Sequence, residues 1–131
     1  MVDEKMTFIE LNVQKSIWRK LSQVKSKNRI ANAYLFSGFK GCGKEAIALK
    51  FAAYINCPII EGPCGECSSC HRFRSLQHEH LKLIVLMPRD EKSSVSANVA
   101  ALLDATKIKA KNPFYKITLP KANTIQISHI R

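Results

Sequence analysis

The sequence predicts an α/β domain, a parallel sheet flanked by helices, with a small cysteine module inserted in it. Three observations carry this. Short apolar runs at 33–36 and 81–87 alternate with stretches of helical spacing at 13–28, 44–56 and 95–108. Strands that alternate with helices in this way pair in parallel and are covered by those helices. A glycine-rich turn, Gly38 to Gly43, joins the first run to the helix behind it, and four of the five cysteines lie within residues 57–70. At 131 residues the chain has room for one domain.

The elements follow in order. Val13, Ile17, Leu21 and Val24 mark one face of the first predicted helix, and Lys15, Arg19, Lys20, Lys25 and Lys27 mark the other. Ala33-Tyr34-Leu35-Phe36, bounded by turn residues, reads as a buried strand. Ile47, Phe51 and Ile55 recur every four residues with Ala48 and Ala52 beside them, a helix that Cys57-Pro58 ends. A short helix is expected from Ser68 to about Gln77. Leu81 to Met87 reads as a second buried strand, stopped by Pro88. Residues 89–95 form a polar loop, and Val95 to Ile108 a helix with Val99, Leu102 and Leu103 as its apolar stripe. Phe114 and Lys116 alternate with Tyr115, Ile117 and Leu119, the pattern of an edge strand, and Ser128 caps a further helix start. Two or three strands are few for such a sheet, so the domain is expected to be incomplete, the front of something longer.

Composition excludes several classes. Hydrophobic residues make up 46% and charged residues 24%, too apolar for a disordered chain. The longest apolar run, Leu83 to Met87, is too short to cross a bilayer, so no membrane partner is expected. Met1-Val2-Asp3-Glu4-Lys5 lacks the basic-then-apolar start of a signal peptide, and a cytoplasmic location follows as the expectation. The formal charge of +11 attracts polyanions.

Gly38-Phe39-Lys40-Gly41-Cys42-Gly43-Lys44-Glu45 fits the phosphate-loop pattern G-x-x-x-x-G-K with Glu where Ser or Thr is expected. Glycines let successive N–H groups face phosphates, and the helix opening at Lys44 points its positive end there. Lys44 would reach the β and γ phosphates, while a hydroxyl at 45 would hold Mg²⁺. Gly38, Gly41, Gly43, Lys44 and Glu45 are thus the candidate nucleotide residues. A carboxylate at 45 lies near the triphosphate, and two like charges ~4 Å apart repel by about 4 kcal/mol at intermediate dielectric. ATP binding is therefore expected to be weak or absent, without hydrolysis. The alternative is binding through the backbone and Lys44 alone.

Cys57, Cys64, Cys67 and Cys70 give C-x6-C-x2-C-x2-C. In a reducing compartment such clustering reads as a metal site before it reads as disulfides. Each C-x-x-C step lets two thiolates converge on one tetrahedral ion, and four sulfurs suit structural Zn²⁺. Free thiols and an iron–sulfur cluster are the alternatives. His71 would need a strained turn to replace a sulfur, and His78 and His80 read as packing or surface residues. Cys42 reads as a small residue that fits the glycine turn, with an oxidisable thiol as the other reading. Four bound thiolates and one Zn²⁺ lower the charge only to about +9. Leu11 to Lys44 carries eight Lys or Arg and no acid, and Thr106 to Arg131 carries Lys107, Lys109, Lys111, Lys116, Lys121 and Arg131. These faces suit a phosphate backbone or an acidic partner subunit.

The ordered set Asn32-Ala33-Tyr34-Leu35-Phe36-Ser37-Gly38, the phosphate loop, Asn56-Cys57 and Cys64-x2-Cys67-x2-Cys70 resembles the N-terminal part of bacterial clamp-loader subunits of AAA+ type. These are the DNA polymerase III delta-prime subunit and its gamma/tau relative. The resemblance covers residues 8–87, and again Ile125 to Arg131. It implies a P-loop NTPase (AAA+-like) fold, zinc ligands at Cys57, Cys64, Cys67 and Cys70, and partners among the gamma/tau and delta subunits. The sliding clamp and primed DNA would be met through that complex. Glu45 favours delta-prime, whose loop is degenerate, over an ATP-hydrolysing gamma/tau subunit. A stand-alone zinc-bearing nucleic-acid-binding module is a third reading. Asn32 stands where the family usually has His, and His78-Glu79-His80 stands where His-Pro-Asp is common. Residues 88–123 form an unusual insertion, and neither an acidic Walker B strand nor a Ser-Arg-Cys finger occurs in the 131 residues, so no independent catalysis is expected.

Overall fold

The computed structural model describes Ile9 and residues 14–86 and 95–119, the side chains of 95–97 excepted. Four helices stand in order: α1 (Lys15–Leu21), α2 (Lys44–Asn56), α3 (Ser68–Arg74) and α4 (Val95–Lys111). The predicted loop 89–95 except Val95, the predicted strand end at Met87 and Pro88, and the predictions on 120–131 lie outside the described residues.

α2 has the predicted bounds because both ends are punctuated. Gly43 caps it at φ 83°, a left-handed conformation that costs glycine nothing, and Cys57 leaves it in extended geometry. The predicted face of α2 was too narrow. Ala46, Ile47, Leu49, Phe51, Ala53 and Tyr54 are all buried, so the helix is covered on several sides and is the centre of the domain. Ile9, Ala46, Leu49 and Ala53 pack with Cys57, Cys70, Phe73 and Leu76 into one core, which joins α2 to α3. Each large side chain so buried contributes roughly 1.5–3 kcal/mol.

α1 is half the predicted length. Residues 22–28 continue as hydrogen-bonded turns, ended by Asn28 at φ 50°. The Ser22 and Ser26 hydroxyls donate to the carbonyls of Arg19 and Gln23, an alternative to the helical ladder. Trp18 and Leu21 are its half-buried residues, whereas Ile17, predicted on the apolar face, is exposed. The Trp18 ring meets Tyr54 edge-on at 5.8 Å, and Lys50 Nζ lies 4.6 Å from the Trp18 ring centre.

No β-strand occurs among the described residues, so the parallel sheet is not formed among them. Residues 33–36 and 81–86 carry no regular secondary structure and join no ladder. The first is also not buried as predicted. Tyr34 and Phe36 turn their rings onto Phe51, while Leu35 is 92% exposed. A buried strand needs neighbours on both edges, and the described residues supply neither. In 81–86, Leu81 and Leu83 rest on the core while Ile84 and Leu86 face outward. Residues 115–119 keep the predicted alternation, with Tyr115, Ile117 and Leu119 inward, again without a ladder.

α4 runs three residues beyond its predicted end, and of its predicted stripe only Leu102 turns inward. Val99 and Leu103 are exposed, whereas Ala105 and Lys109 are buried. Lys109 is held there by an ion pair described below.

Candidate functional site

The two sequence motifs sit at opposite ends of α2. At its C-terminal end, Cys57 opens a loop that returns through Cys64 to Cys67, the N-cap of α3, and Cys70 lies in the first turn of that helix. The four Sγ atoms all fall within 4.8 Å of one another. Cys57–Cys67 and Cys64–Cys70 are each 4.0 Å apart, about twice a disulfide bond. Tetrahedral coordination with metal–sulfur bonds of ~2.3 Å places ligand sulfurs about 3.8 Å apart. The donor set therefore fits a single four-coordinate ion, and lies too close for sulfurs that surround a multi-iron cluster.

Backbone geometry prepares the thiols unequally. Cys64 Sγ accepts N–H groups from Glu66 (3.5 Å) and Cys67 (3.3 Å), and these hold its pKa down, to about 6. Burial pushes the Cys70 thiol up to about 12. A cation would ionise the buried thiol, because thiolate is the ligand form. Gly62 packs against the first of the four cysteines: a Cβ there would stand 2.8 Å from Cys57 Sγ.

Supporting contacts fix the cluster to the rest of the fold. Lys25 Nζ donates to the carbonyls of Tyr54 (2.9 Å), Cys57 and Ile59 (3.0 Å), so one ammonium caps the C-terminus of α2 and orients the loop that carries Cys57. Tyr54 Oη donates to Ser22 O at 2.8 Å. On the other side, Ser69 Oγ and His78 Nε2 are 3.0 Å apart and buried. The pair has the look of a nucleophile and its base, but the proton placement is wrong for that. His78 Nδ1 accepts the His80 N–H (3.1 Å), so Nε2 carries the ring proton and donates to Ser69. Ser69 in turn donates to Asn56 O at 3.2 Å. The pair is a clamp between α3 and the end of α2, with His78 stacked on Phe73 at 4.3 Å. His71 is exposed and outside the cluster.

At the N-terminal end, Gly38, Gly41, Gly43, Lys44 and Glu45 are brought together. Gly41 and Gly43 both adopt φ 83°, and the Cys42 thiol fills the space where a Gly38 Cβ would stand at 2.8 Å, which agrees with Cys42 as a residue that fits the turn. Lys44 Nζ folds back onto the carbonyls of Gly38 (3.1 Å) and Phe39 (3.4 Å). Glu45 Oε2 lies 2.7 Å from Lys109 Nζ, which also donates to Tyr115 O at 2.7 Å. A cleft of about 270 Å³ beside the loop is lined by Lys40, Gly41, Gly43 and Lys44 and, from the far segment, by Pro113, Phe114 and Lys116. The sequence singled out the loop but not Lys109, since a partner 64 positions away leaves no mark in spacing. Two cations assigned to basic surfaces, Lys25 and Lys109, are therefore internal. Lys15, Arg19, Lys20, Lys27 and Arg29 remain exposed.

A glycine loop thus opens the central helix, and four convergent cysteines stand at the other end of that helix. Residues 13–127 match the family described as DNA polymerase III, delta subunit, and the chain belongs to that family. Relatives include the DNA polymerase III subunit tau/gamma of Haemophilus influenzae, 42% identical over 66 residues, or 49% of this chain and 10% of that protein. The DNA polymerase III subunit tau of Escherichia coli is 41% identical over 66 residues, again 49% of this chain and 10% of the relative. Protein STICHEL of Arabidopsis thaliana is 40% identical over 72 residues, 53% of this chain and 6% of the relative. The chain thus matches a tenth or less of the length of these relatives. No solved structure matches it. Among the described residues, no helix is long and apolar enough to cross a membrane.

Proposed function

We propose that the chain is the N-terminal part of a clamp-loader subunit of DNA polymerase III, of delta-prime type, which acts in replication by assembly with gamma/tau and delta subunits. Family membership supports the loader role. The observation that carries the delta-prime reading is Glu45, a carboxylate at the metal-hydroxyl position of the loop that is engaged with a lysine of its own chain. Lys44, turned onto Gly38 and Phe39 carbonyls, is likewise engaged within the loop. In this reading the loop holds ATP weakly or not at all, and the subunit contributes surfaces. The sliding clamp and primed DNA are met through the complex.

The cysteine cluster in this reading holds structural Zn²⁺ through Cys57, Cys64, Cys67 and Cys70. The ion supplies a cross-link between the end of α2 and the start of α3, with no open position for chemistry. The segments 33–36, 81–86 and 115–119 act in this reading as strands of the AAA+-like parallel sheet. Ile84 and Leu86, opposite Leu81 and Leu83, make 81–86 apolar on both sides, as strands of a covered parallel sheet are.

A second reading, an ATP-hydrolysing gamma/tau-type subunit, is favoured by the identity of 41–42% to tau and gamma subunits. Titration of labelled ATP with Mg²⁺ separates the two. No saturable binding at micromolar nucleotide, together with retention on immobilised gamma/tau and delta subunits, is the expected result. Micromolar affinity with turnover would establish the second reading.

A further inference from the structure

We infer that Lys109 is a built-in cation of the glycine loop, which pairs with Glu45 and so latches α4 and the 112–116 turn across the loop against a metal-bound nucleotide. This rests on the reading of residues 38–45 as a degenerate phosphate loop.

Three observations converge on Lys109. Its Nζ is 2.7 Å from both Glu45 Oε2 and Tyr115 O, while the residue is only 4% exposed. A buried ammonium without an acceptor is strongly unfavourable, so these two contacts are what permit its burial. The facing of α4 says the same. Lys109 and Ala105 point inward although Leu103 and Ile108 of the same helix are 58% and 48% exposed. The inward side of α4, which also carries Leu102 and Ala105, thus holds a lysine that only a partner can accommodate. Finally, the turn that Lys109 pins through Tyr115 brings Pro113, Phe114 and Lys116 to the cleft beside Gly41, Gly43 and Lys44.

The charges set what this arrangement rejects. In a working loop a hydroxyl at position 45 and a divalent ion share one small site. Here a carboxylate stands there and an ammonium of the same chain answers it. A metal ion brought to Glu45 by a nucleotide meets that ammonium as a like charge at contact distance. Its entry would displace Lys109 and leave it buried beside Tyr115 O alone. Metal-nucleotide binding and a docked α4 therefore exclude each other.

Hydrogen exchange of the α4 amides in the full chain tests the latch. In Glu45→Gln the exchange of residues 99–111 is expected to rise by about tenfold or more, with α3 unchanged. In a Lys109→Met background the same Glu45→Gln change is expected to have no further effect, because the pair is already gone. Lys109→Arg, which keeps the charge, is expected to retain protection and covers the case in which Lys109→Met fails to fold. An α4 exchange rate that moves less than about twofold in Glu45→Gln would overturn the latch, as would an equal rise with and without Lys109. Nucleotide titration keeps this outcome apart from the loop's assignment. Tight Mg-ATP binding by the unaltered chain with α4 loosening on binding would sink the degenerate-site reading and support the latch. The same binding with α4 still protected would overturn the latch too.

Discussion

The glycine loop and the cysteine cluster stand at the two ends of one helix and have opposite dispositions towards a ligand. In the cluster, four sulfurs converge to within 4.8 Å, and backbone N–H groups donate to Cys64 in a way that favours its thiolate. In the loop the backbone has the expected turn, but the charged groups are engaged with the chain itself: Lys44 with two carbonyls, Glu45 with Lys109. Spacing of residues specified the backbone at both ends. Whether the side chains face outward to a ligand or inward to a partner was decided by contacts far away in sequence.

Metal removal should break the comparison most severely. A structural four-thiolate ion supplies on the order of ten kcal/mol to local folding. A chelator, or Cys70→Ser, should therefore abolish amide protection across residues 57–77 while α2 keeps its own. Hydrogen exchange checks this, and unchanged protection with no metal released would rule out a structural ion. Next in size, Gly62→Ala places a methyl group 2.8 Å from Cys57 Sγ. Metal affinity, measured by competition with a chromophoric chelator, should fall ~10–100-fold, as it does when a supporting residue is lost. Lys25→Met removes the ammonium from three carbonyls. A charged hydrogen bond is worth about 1.5–3 kcal/mol, so a loss of at least that size is expected in denaturant melts of the metal-loaded chain.

The smallest effect is chemical and sharpens the contrast within the cluster. In the folded geometry Cys64 is held to a pKa of about 6 and Cys70 is pushed to about 12, a difference that brief labelling reads as the ion is withdrawn and before 57–77 unfold. Iodoacetamide at pH 7 should then modify Cys64 first and Cys70 last, since thiolate is the nucleophile. Cys64 is the depressed acid, so its charged form is present above its folded pKa and its labelling should fade as pH falls through about 6. Mass spectrometry of peptides gives the order, and added Zn²⁺ should protect all four cysteines while leaving Cys42 labelled.

The parts legible in the sequence were those written in local punctuation. Gly43 and Cys57-Pro58 delimited α2 because a left-handed cap and a proline act on their immediate neighbours. Two C-x-x-C steps specified a convergent cluster for the same reason. The helix faces were not legible. Val99 and Leu103 were expected inside α4 with Leu102, yet only Leu102 of the three faces inward, beside Ala105 and Lys109. Lys25, counted with a solvated basic face, instead caps a helix that begins nineteen positions later. The apolar run at 33–36 carried the composition of a buried strand, but burial depends on neighbours, and Leu35 remains in solvent. Ser69 and His78 paired without any sequence signal, and only their hydrogen-bond directions showed a clamp rather than a catalytic couple.

α2 is also a ruler. Its thirteen residues at about 1.5 Å each hold the loop and the cluster about 20 Å apart on a single rigid rod. A torque applied at one end is delivered at the other, because Lys25 and the Ser69–His78 clamp grip the far end from two sides. A cobalt ion seated among the four sulfurs would then serve as an optical gauge, its colour reporting strain that originates a helix length away.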